Sequence, residues 1–287
     1  MEKIALVTDS TCDLSLELQR KYDIRVIPLQ VMYSVTETYR DRIDITPEEI
    51  FRRMEKDETP KTSLPKATDI MRVFDELKEE GYTHILAMTV SSGLSGTYNH
   101  IRSLAQEVEG MVIEVIDSKI LSLGMGIPMM ELSKAIKNGC NFEKIVDLAK
   151  DMLDRTRGFF TVSTLNYLRK GGRIGHLEGT LGELLQIKPI MTMDEEGRFT
   201  GFKKVRGRKK SLTEMVETFK EVAGNQRASV AIMHGNAMEE AVKVMEEIKK
   251  VGNIVEYFID SICPVIAIHA GPGTVAMIVY NHKDEEN

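Results

Sequence analysis

The first 157 residues repeat one order of segments: a short apolar stretch, a polar loop, and a stretch with helical apolar spacing. Residues 4–7, 84–88 and 112–116 are short and apolar, as buried strands are, and hydroxyl or acidic residues follow each of them. Apolar residues over 70–77 recur on one face of a helix. Repeated β-α order requires a parallel sheet with right-handed crossovers. We therefore expect an α/β, Rossmann-like parallel-sheet domain over residues 1–157.

The remaining residues, 158–287, carry hairpin signals instead. Strands are predicted over 159–163 and 189–193, and the Glu-Glu-Gly turn at 195–197 leads directly into another strand. A helix, a strand, a helix and two closing strands are predicted to follow. Hairpins mixed with helices predict an α+β C-terminal domain with a largely antiparallel sheet. The domain boundary is expected near residue 157.

Composition and charge exclude several classes of protein. The chain is 42% hydrophobic and 29% charged, which is typical of a soluble globular protein, and its net charge of −6 does not favour nucleic-acid binding. Cys12, Cys140 and Cys263 are far apart and form no C-x-x-C motif, as expected for reduced cytoplasmic thiols. No signal peptide is predicted, and no apolar run approaches the roughly 20 residues of a transmembrane helix. We expect a cytoplasmic protein.

Motifs for nucleotide or metal chemistry are missing from the sequence. It has neither a G-x-x-x-x-G-K-[ST] loop nor a G-x-G-x-x-G after a strand, and its six histidines show no H-E-x-x-H spacing. We therefore expect no cofactor and no metal. Residues 93–97 (Gly-Leu-Ser-Gly-Thr) resemble a nucleophile elbow, but Thr97 stands where that motif needs glycine. A lipid hydrolase or acyltransferase with Ser95 as nucleophile and His269 as base stays open as an alternative.

Three loops carry the polar groups of a predicted ligand site. Residues 91–98 and 62–65 are rich in hydroxyls and precede helices, at strand ends where open parallel sheets bind ligands. Glycines in the first loop let the backbone approach a ligand, and a helix N-terminus favours an anion. Each loop alone is also consistent with a simple helix cap. In the third, residues 266–273, His269 lies between an apolar segment and a Gly-Pro-Gly turn.

Seven segments in the expected order resemble the DegV family of fatty-acid-binding proteins. They are residues 7–14, 62–65, 92–98, 168–174, 187–190, 204–206 and 269–273. The resemblance covers nearly the whole chain. It implies a Rossmann-like domain, an α+β domain, and a fatty acid in the cleft between them.

The resemblance also implies the residues of the head-group site. Those at the fatty acid carboxylate are Thr62, Ser95, Gly96, His269 and Ala270. Hydroxyls and backbone amides would then hold the carboxylate without a compensating cation. Two departures are visible: Lys66 stands where the family often has serine, and Ala270 where many members carry threonine. The expected ligand is a C14–C18 acid such as palmitate, stearate or oleate.

The resemblance also implies a partner. Family members of this kind present the fatty acid to a separate fatty acid kinase, which is of the dihydroxyacetone-kinase type. Residues 203–210 hold six positive charges, and we expect Arg173 to join them. Arg173 and Arg206 are therefore predicted to dock an acidic partner. Two alternatives to partner docking stay open: the basic run is an ordinary solvent-exposed face, or the chain is a regulatory DNA-binding protein. No aromatic residue interleaves the run, so we expect no nucleic-acid partner.

Overall fold

The computed structural model describes residues 2–177 and 187–283, and its first half contains a four-stranded sheet. In spatial order the strands are β2 (Ile24–Ile27), β1 (Ile4–Asp9), β6 (His84–Thr89) and β7 (Val112–Asp117). Every neighbouring pair is parallel. The helices of this half are α1 (Leu16–Tyr22), α2 (Pro47–Met54), α3 (Ala67–Glu79), α4 (Thr97–Ala105), α5 (Leu123–Lys137) and α6 (Phe142–Asp154). The predicted parallel-sheet α/β fold is confirmed.

A small second sheet was not anticipated by the sequence pattern. Apolar residues over 24–32 suggest one strand, but the structure ends β2 before Pro28, because proline has no N–H for a sheet ladder. The chain then forms an antiparallel sheet of β3 (Gln30–Met32), β4 (Thr38–Arg40) and β5 (Lys61–Ser63), in the order β4-β3-β5. Thr62 pairs with Val31 here, so it lies on a strand rather than in a loop.

The second half contains a six-stranded sheet. In spatial order it consists of β10 (Phe199–Lys203), β9 (Ile190–Met193), β8 (Thr156–Thr161), β13 (Thr274–Asn281), β11 (Arg227–Gly235) and β12 (Asn253–Ser261). Its pairs are antiparallel except β11 with β12. The described helices are α7 (Asn166–Lys170), α8 (Arg208–Ala223), α9 (Met238–Val251) and α10 (Pro264–Ala270). The largely antiparallel sheet is confirmed.

Helix α10 corrects the predicted end of the chain. The closing strands β12 and β13 do not follow each other directly, because α10 forms between them with Pro264 in its first turn, where a missing N–H is tolerated. His269 therefore lies in the last turn of a helix and not in a loop before the Gly-Pro-Gly turn.

Helix α5 lies between the parallel and six-stranded sheets. It contacts β1 and β6 on one side and β8, β11 and β13 on the other. Ten of its 15 residues are buried, including all of the apolar stretch over residues 123–130, as expected for a helix covered on both sides. One hydrophobic core joins Leu6 and Met88 of the parallel sheet to Ala231 and Ile278 of the six-stranded sheet. Among the described helices, none has the length and apolarity needed to span a bilayer.

Candidate functional site

An apolar cavity lies between the two large sheets. The space between the atoms that line it is about 930 Å³, including its opening to solvent. Side chains from both halves line it, including Val90 and Ile120 from the first half and Phe159, Phe199 and Ile278 from the second. Such an interior suits a long apolar ligand.

Strand β13 gives the direction of the cavity. Thr274, Ala276 and Ile278 all line it, because alternate residues of a strand point to the same face. The four steps along the strand from Thr274 to Ile278, at ~3.3 Å each, make this wall about 13 Å long. At one end the Thr274 hydroxyl donates to the carbonyl of Ala270 over 3.0 Å, and at the other Ile278 pairs with Gly158. The cavity thus runs from the end of α10 to the start of β8.

The polar groups of the cavity gather at the α10 end. Thr62, Ser95, His269 and Ala270 all line it, so four predicted site residues meet in one place. Thr62 Oγ1 lies 2.8 Å from His269 Nε2, and Ser95 Oγ lies 2.8 Å from a neighbouring hydroxyl, that of Thr97. Each hydroxyl can accept from its neighbour and keep its own hydrogen for a ligand.

Gly96 is placed differently from Ser95. It is exposed, and a Cβ on it would lie 3.6 Å from the side chain of Leu64. Gly96 is therefore the one predicted head-group residue that does not line the described cavity, and the space around it would accept a small side chain.

His269 is neutral at physiological pH. Burial, with a smaller contribution from the nearby Arg173, lowers the pKa of His269 to about 4. Its Nδ1 has no hydrogen-bond partner among the described residues and packs against Gly171, where a Cβ would lie 2.1 Å from this atom. Nε2 is therefore the ring nitrogen that hydrogen-bonds, and its partner is Thr62.

Arg173 corrects the expectation of a site without a cation. It lines the cavity, and its guanidinium donates to the carbonyls of Leu94 over 3.2 Å and Gly171 over 2.7 Å. The sequence signal that could have placed Arg173 at the cavity is the Gly-Gly pair before it. Without a side chain at Gly171, the backbone can pack directly against the His269 ring. Arg206, the other predicted docking residue, is exposed, and its backbone bridges to Ile187.

The contacts of Ser95 and His269 do not form a nucleophile–base pair. Ser95 Oγ bonds to Thr97, and His269 Nε2 bonds to Thr62. A catalytic dyad needs the serine hydroxyl on the histidine nitrogen and a third group that orients the base. The part of the chain that the structure describes also contains no cluster of potential metal ligands. The geometry favours a binding site over a hydrolase centre.

Comparison with known proteins agrees with this architecture. A model of the DegV family, described as an uncharacterised protein family, matches residues 3–282. This chain belongs to the DegV family. The resemblance carried by the seven sequence segments is thereby confirmed at the level of the family.

Three similar proteins show how far the likeness extends. A DegV domain-containing protein of Clostridium acetobutylicum is 41% identical over 280 residues, which cover 97% of this chain and 99% of the relative. The solved structure of a fatty-acid-binding DegV family protein from Thermus thermophilus has 33% identity and a TM-score of 0.90, covering 98% of this chain and 100% of its own. A stearic-acid-binding protein from Eubacterium ventriosum has 30% identity and a TM-score of 0.86, covering 98% of each chain.

The first DegV motif, residues 7–14, builds a buried polar network that sequence reasoning missed. Asp13 Oδ1 accepts from Arg42 Nη2 and from the backbone N–H of Cys263, each at 2.8 Å, and its Oδ2 accepts from Ser122 Oγ at 2.5 Å. Burial raises the pKa of Asp13, which the Arg42 charge opposes. Because Cys263 precedes α10, this carboxylate holds the helix that carries His269.

The backbone around this network is strained. Asp13, Arg42 and Ser122 have φ angles of 58°, 59° and 61°, which residues other than glycine rarely adopt. Such conformations persist where surrounding contacts hold them. A second carboxylate, Asp41, accepts from the Val265 N–H over 3.2 Å, and burial raises its pKa to about 6. Residues of the first half therefore set where α10 begins.

Proposed function

We propose that this DegV family chain is a cytoplasmic carrier that binds one long-chain fatty acid, of the C14–C18 class, without catalysing a reaction on it. The observation that carries the proposal is one apolar cavity that begins at the Thr62–His269 hydrogen bond and runs along β13 to Gly158. Fatty acid binding by the T. thermophilus protein and stearic acid binding by the E. ventriosum protein support it.

The two ends of the ligand have different physical roles. Burying one methylene stabilises a complex by about 0.8 kcal/mol, so fourteen methylenes contribute roughly 11 kcal/mol before ordering costs of several kcal/mol. The carboxylate is costly to bury unless donors surround it. Affinity therefore comes from the acyl chain, and orientation comes from the head group.

The head group would be held by hydroxyls that already have a partner. A neutral His269 that carries its proton on Nε2 donates to Thr62 Oγ1, which leaves the Thr62 hydrogen for the carboxylate. Ser95 can donate in the same way, since its oxygen accepts from the Thr97 N–H over 3.3 Å. The Arg173 charge favours the ionised carboxylate. Backbone near Gly96 and Ala270 completes the proposed site.

The proposal extends to a partner kinase of the dihydroxyacetone-kinase type, to which the carrier would present the carboxylate for acyl phosphate formation. Within the basic run, Lys203 pairs with Glu214 and Glu221, and Arg208 pairs with Glu240. This partial neutralisation reduces support for DNA binding. Arg206 is exposed and lies away from the cavity lining, so it is the docking residue that can be altered without touching the lipid.

Mass spectrometry of lipids released from the denatured, purified protein tests the carrier function. We expect C14–C18 acids at nearly one per chain. As a control, delipidated protein is incubated with oleate and extracted again, and it should regain one equivalent. Protein that is purified empty and then fails to bind added oleate would contradict the proposal.

Reconstitution tests the kinase extension separately. Acyl phosphate should form only when carrier, kinase, ATP and fatty acid are all present, and Arg206→Glu should slow its formation while oleate affinity stays the same. Arg173→Glu is unsuitable for this purpose, because Arg173 lines the cavity. Equal rates with wild type and Arg206→Glu would remove Arg206 from the docking surface.

A further inference from the structure

The end of the apolar cavity away from α10 is closed by residues that also line a second cavity. Ile120, Gly158 and Met193 belong to the walls of both. The second cavity is polar, with Lys119 and Arg157 among its charged lining residues, and it opens to solvent. These three residues therefore form a thin wall between the apolar cavity and a solvent-exposed cavity with charged lining residues.

Two strands of the six-stranded sheet place Met193 and Gly158 together. Phe160 pairs with Met191 in the antiparallel ladder between β8 and β9, so Met193 lies across from Gly158. The hydroxyl of Thr192 donates to the Gly158 carbonyl over 2.8 Å and fixes this register. The position of Met193 in the wall follows from the sheet itself.

Ile120 forms the rest of the wall and has little freedom. A Cβ on Gly124 would lie 2.6 Å from Ile120 Cδ1, and a Cβ on Gly158 would lie 3.4 Å from the same atom. The backbone of Ile120 is held as well, since its N–H donates to Ser118 Oγ over 3.2 Å and its carbonyl accepts from the Ser91 N–H over 3.0 Å. The two glycines thus enclose a fixed side chain.

Met193 has more freedom than Ile120. Its side chain is unbranched and adaptable, and it is only partly buried, whereas Ile120 is 6% exposed. Gly158 has no side chain to move. Met193 is therefore the member of the wall whose size and rotamer decide how far the apolar cavity extends.

We infer that Met193, packed against Gly158 and Ile120, sets the longest acyl chain that the protein can bury, an inference that rests on the proposed fatty acid carrier function. Methylenes on the near side of the wall leave water, whereas those beyond it would enter the polar cavity and gain nothing from burial. Affinity should rise about fourfold for each methylene up to the wall, which corresponds to about 0.8 kcal/mol, and then stop rising.

Two opposite substitutions test this inference. Met193→Ala vacates the apolar space that the Met193 side chain fills in front of the second cavity, so the chain length of tightest binding should increase by at least two carbons. Gly158→Ala adds a methyl group within 3.3 Å of Ile278 and 3.4 Å of Ile120, so the optimum should shorten. Met277→Ala is the matched control, because Met277 is a fully buried methionine of β13 that packs in the core on the opposite face.

The measurement is the Kd of delipidated wild type and the three variants for saturated acids from C12 to C22, with thermal melts to confirm folding. Optima that move in opposite directions for Met193→Ala and Gly158→Ala, while Met277→Ala keeps the wild-type optimum, support the inference. The inference would be overturned if wild type binds fatty acids while folded Met193→Ala and Gly158→Ala proteins prefer the same chain length as wild type. The carrier function would still stand in that case. Failure of wild type to bind any acid in the series would overturn the carrier function and the inference with it.

Discussion

Asp13 and the Thr62–His269 pair are both polar groups between the sheets, but their hydrogen-bonding capacity is used differently. The Asp13 carboxylate is 1% exposed and accepts from three donors of the protein, those of Arg42, Ser122 and Cys263. Thr62 and Ser95 line the cavity, and each retains a hydroxyl hydrogen that a ligand can use.

This difference separates a structural role from a binding role. A buried carboxylate whose oxygens are both engaged by the protein stabilises the backbone that it holds. Hydroxyls with remaining donor capacity at the end of an apolar cavity can recognise an anionic group without being needed for folding. Substitutions in the two places should therefore affect different measurable quantities.

The largest expected effect is that of Asp13→Ala on stability. Removing this carboxylate leaves the partly buried Arg42 without its charge partner and the buried Ser122 hydroxyl and Cys263 N–H without their acceptor, so the free energy of unfolding should fall by about 3–5 kcal/mol. Urea unfolding measures this loss. Asp44→Ala is the matched control, because the Asp44–Arg40 pair is 35% and 41% exposed and should contribute about 0–1 kcal/mol. Equal losses for the two variants would contradict a structural role for Asp13.

The next effect is on affinity rather than stability. Alanine at both Thr62 and Ser95 removes two donors from a buried carboxylate, at about 1–3 kcal/mol each, so palmitate affinity should fall at least tenfold. Isothermal titration with delipidated protein measures the change. The control replaces Ser34 and Thr36, which hydrogen-bond to each other in an exposed turn. If the Thr62/Ser95 double variant binds palmitate as tightly as wild type, the proposed carboxylate position is wrong.

The smallest effect concerns pH and His269. Its pKa of about 4 in the folded protein lies below the 6.5 of an unperturbed histidine, so the unfolded state binds the proton first as the pH falls. The stability that neutral His269 contributes is present above pH 6.5 and is lost toward pH 4. Between pH 7 and 5.5 the loss should be about 1 kcal/mol.

Comparison of delipidated wild type with His269→Gln isolates this contribution. Asp41, with a raised pKa of about 6, titrates in the same range but is present in both proteins. Wild type should lose more stability than the variant between pH 7 and 5.5. Identical pH dependence in the two proteins would mean that folding does not shift the pKa of His269.

Local sequence patterns predicted the strands and helices well where one period dominates a segment. The face of α3 is an example, since Ile70, Val73, Phe74 and Leu77 recur at helical spacing and are all buried. The resemblance to the DegV family implied Thr62, Ser95 and His269 as neighbours of one site, and the structure places all three on one cavity. The motif order also indicated the DegV family, which the family match confirms.

Several features depended on contacts that no local pattern contains. Thr62 and His269 are 207 residues apart in sequence, and only the packing of β5 against α10 brings them within hydrogen-bond distance. The same holds for Arg173, which was expected on the surface and lines the cavity instead. The short helix α10 is a partial exception, because Pro264 after a strand is a local signal for a helix start.

The sequence alone determined the β-α order of the first half, the two kinds of large sheet and the hydroxyl-rich segments, because spacing and turn chemistry act between residues close along the chain. The tertiary structure alone decided how the polar end is completed and where the cavity stops. Ile120, Gly158 and Met193 come from three distant segments, and the volume between them is set by close packing. Pocket depth therefore cannot be read from any single segment.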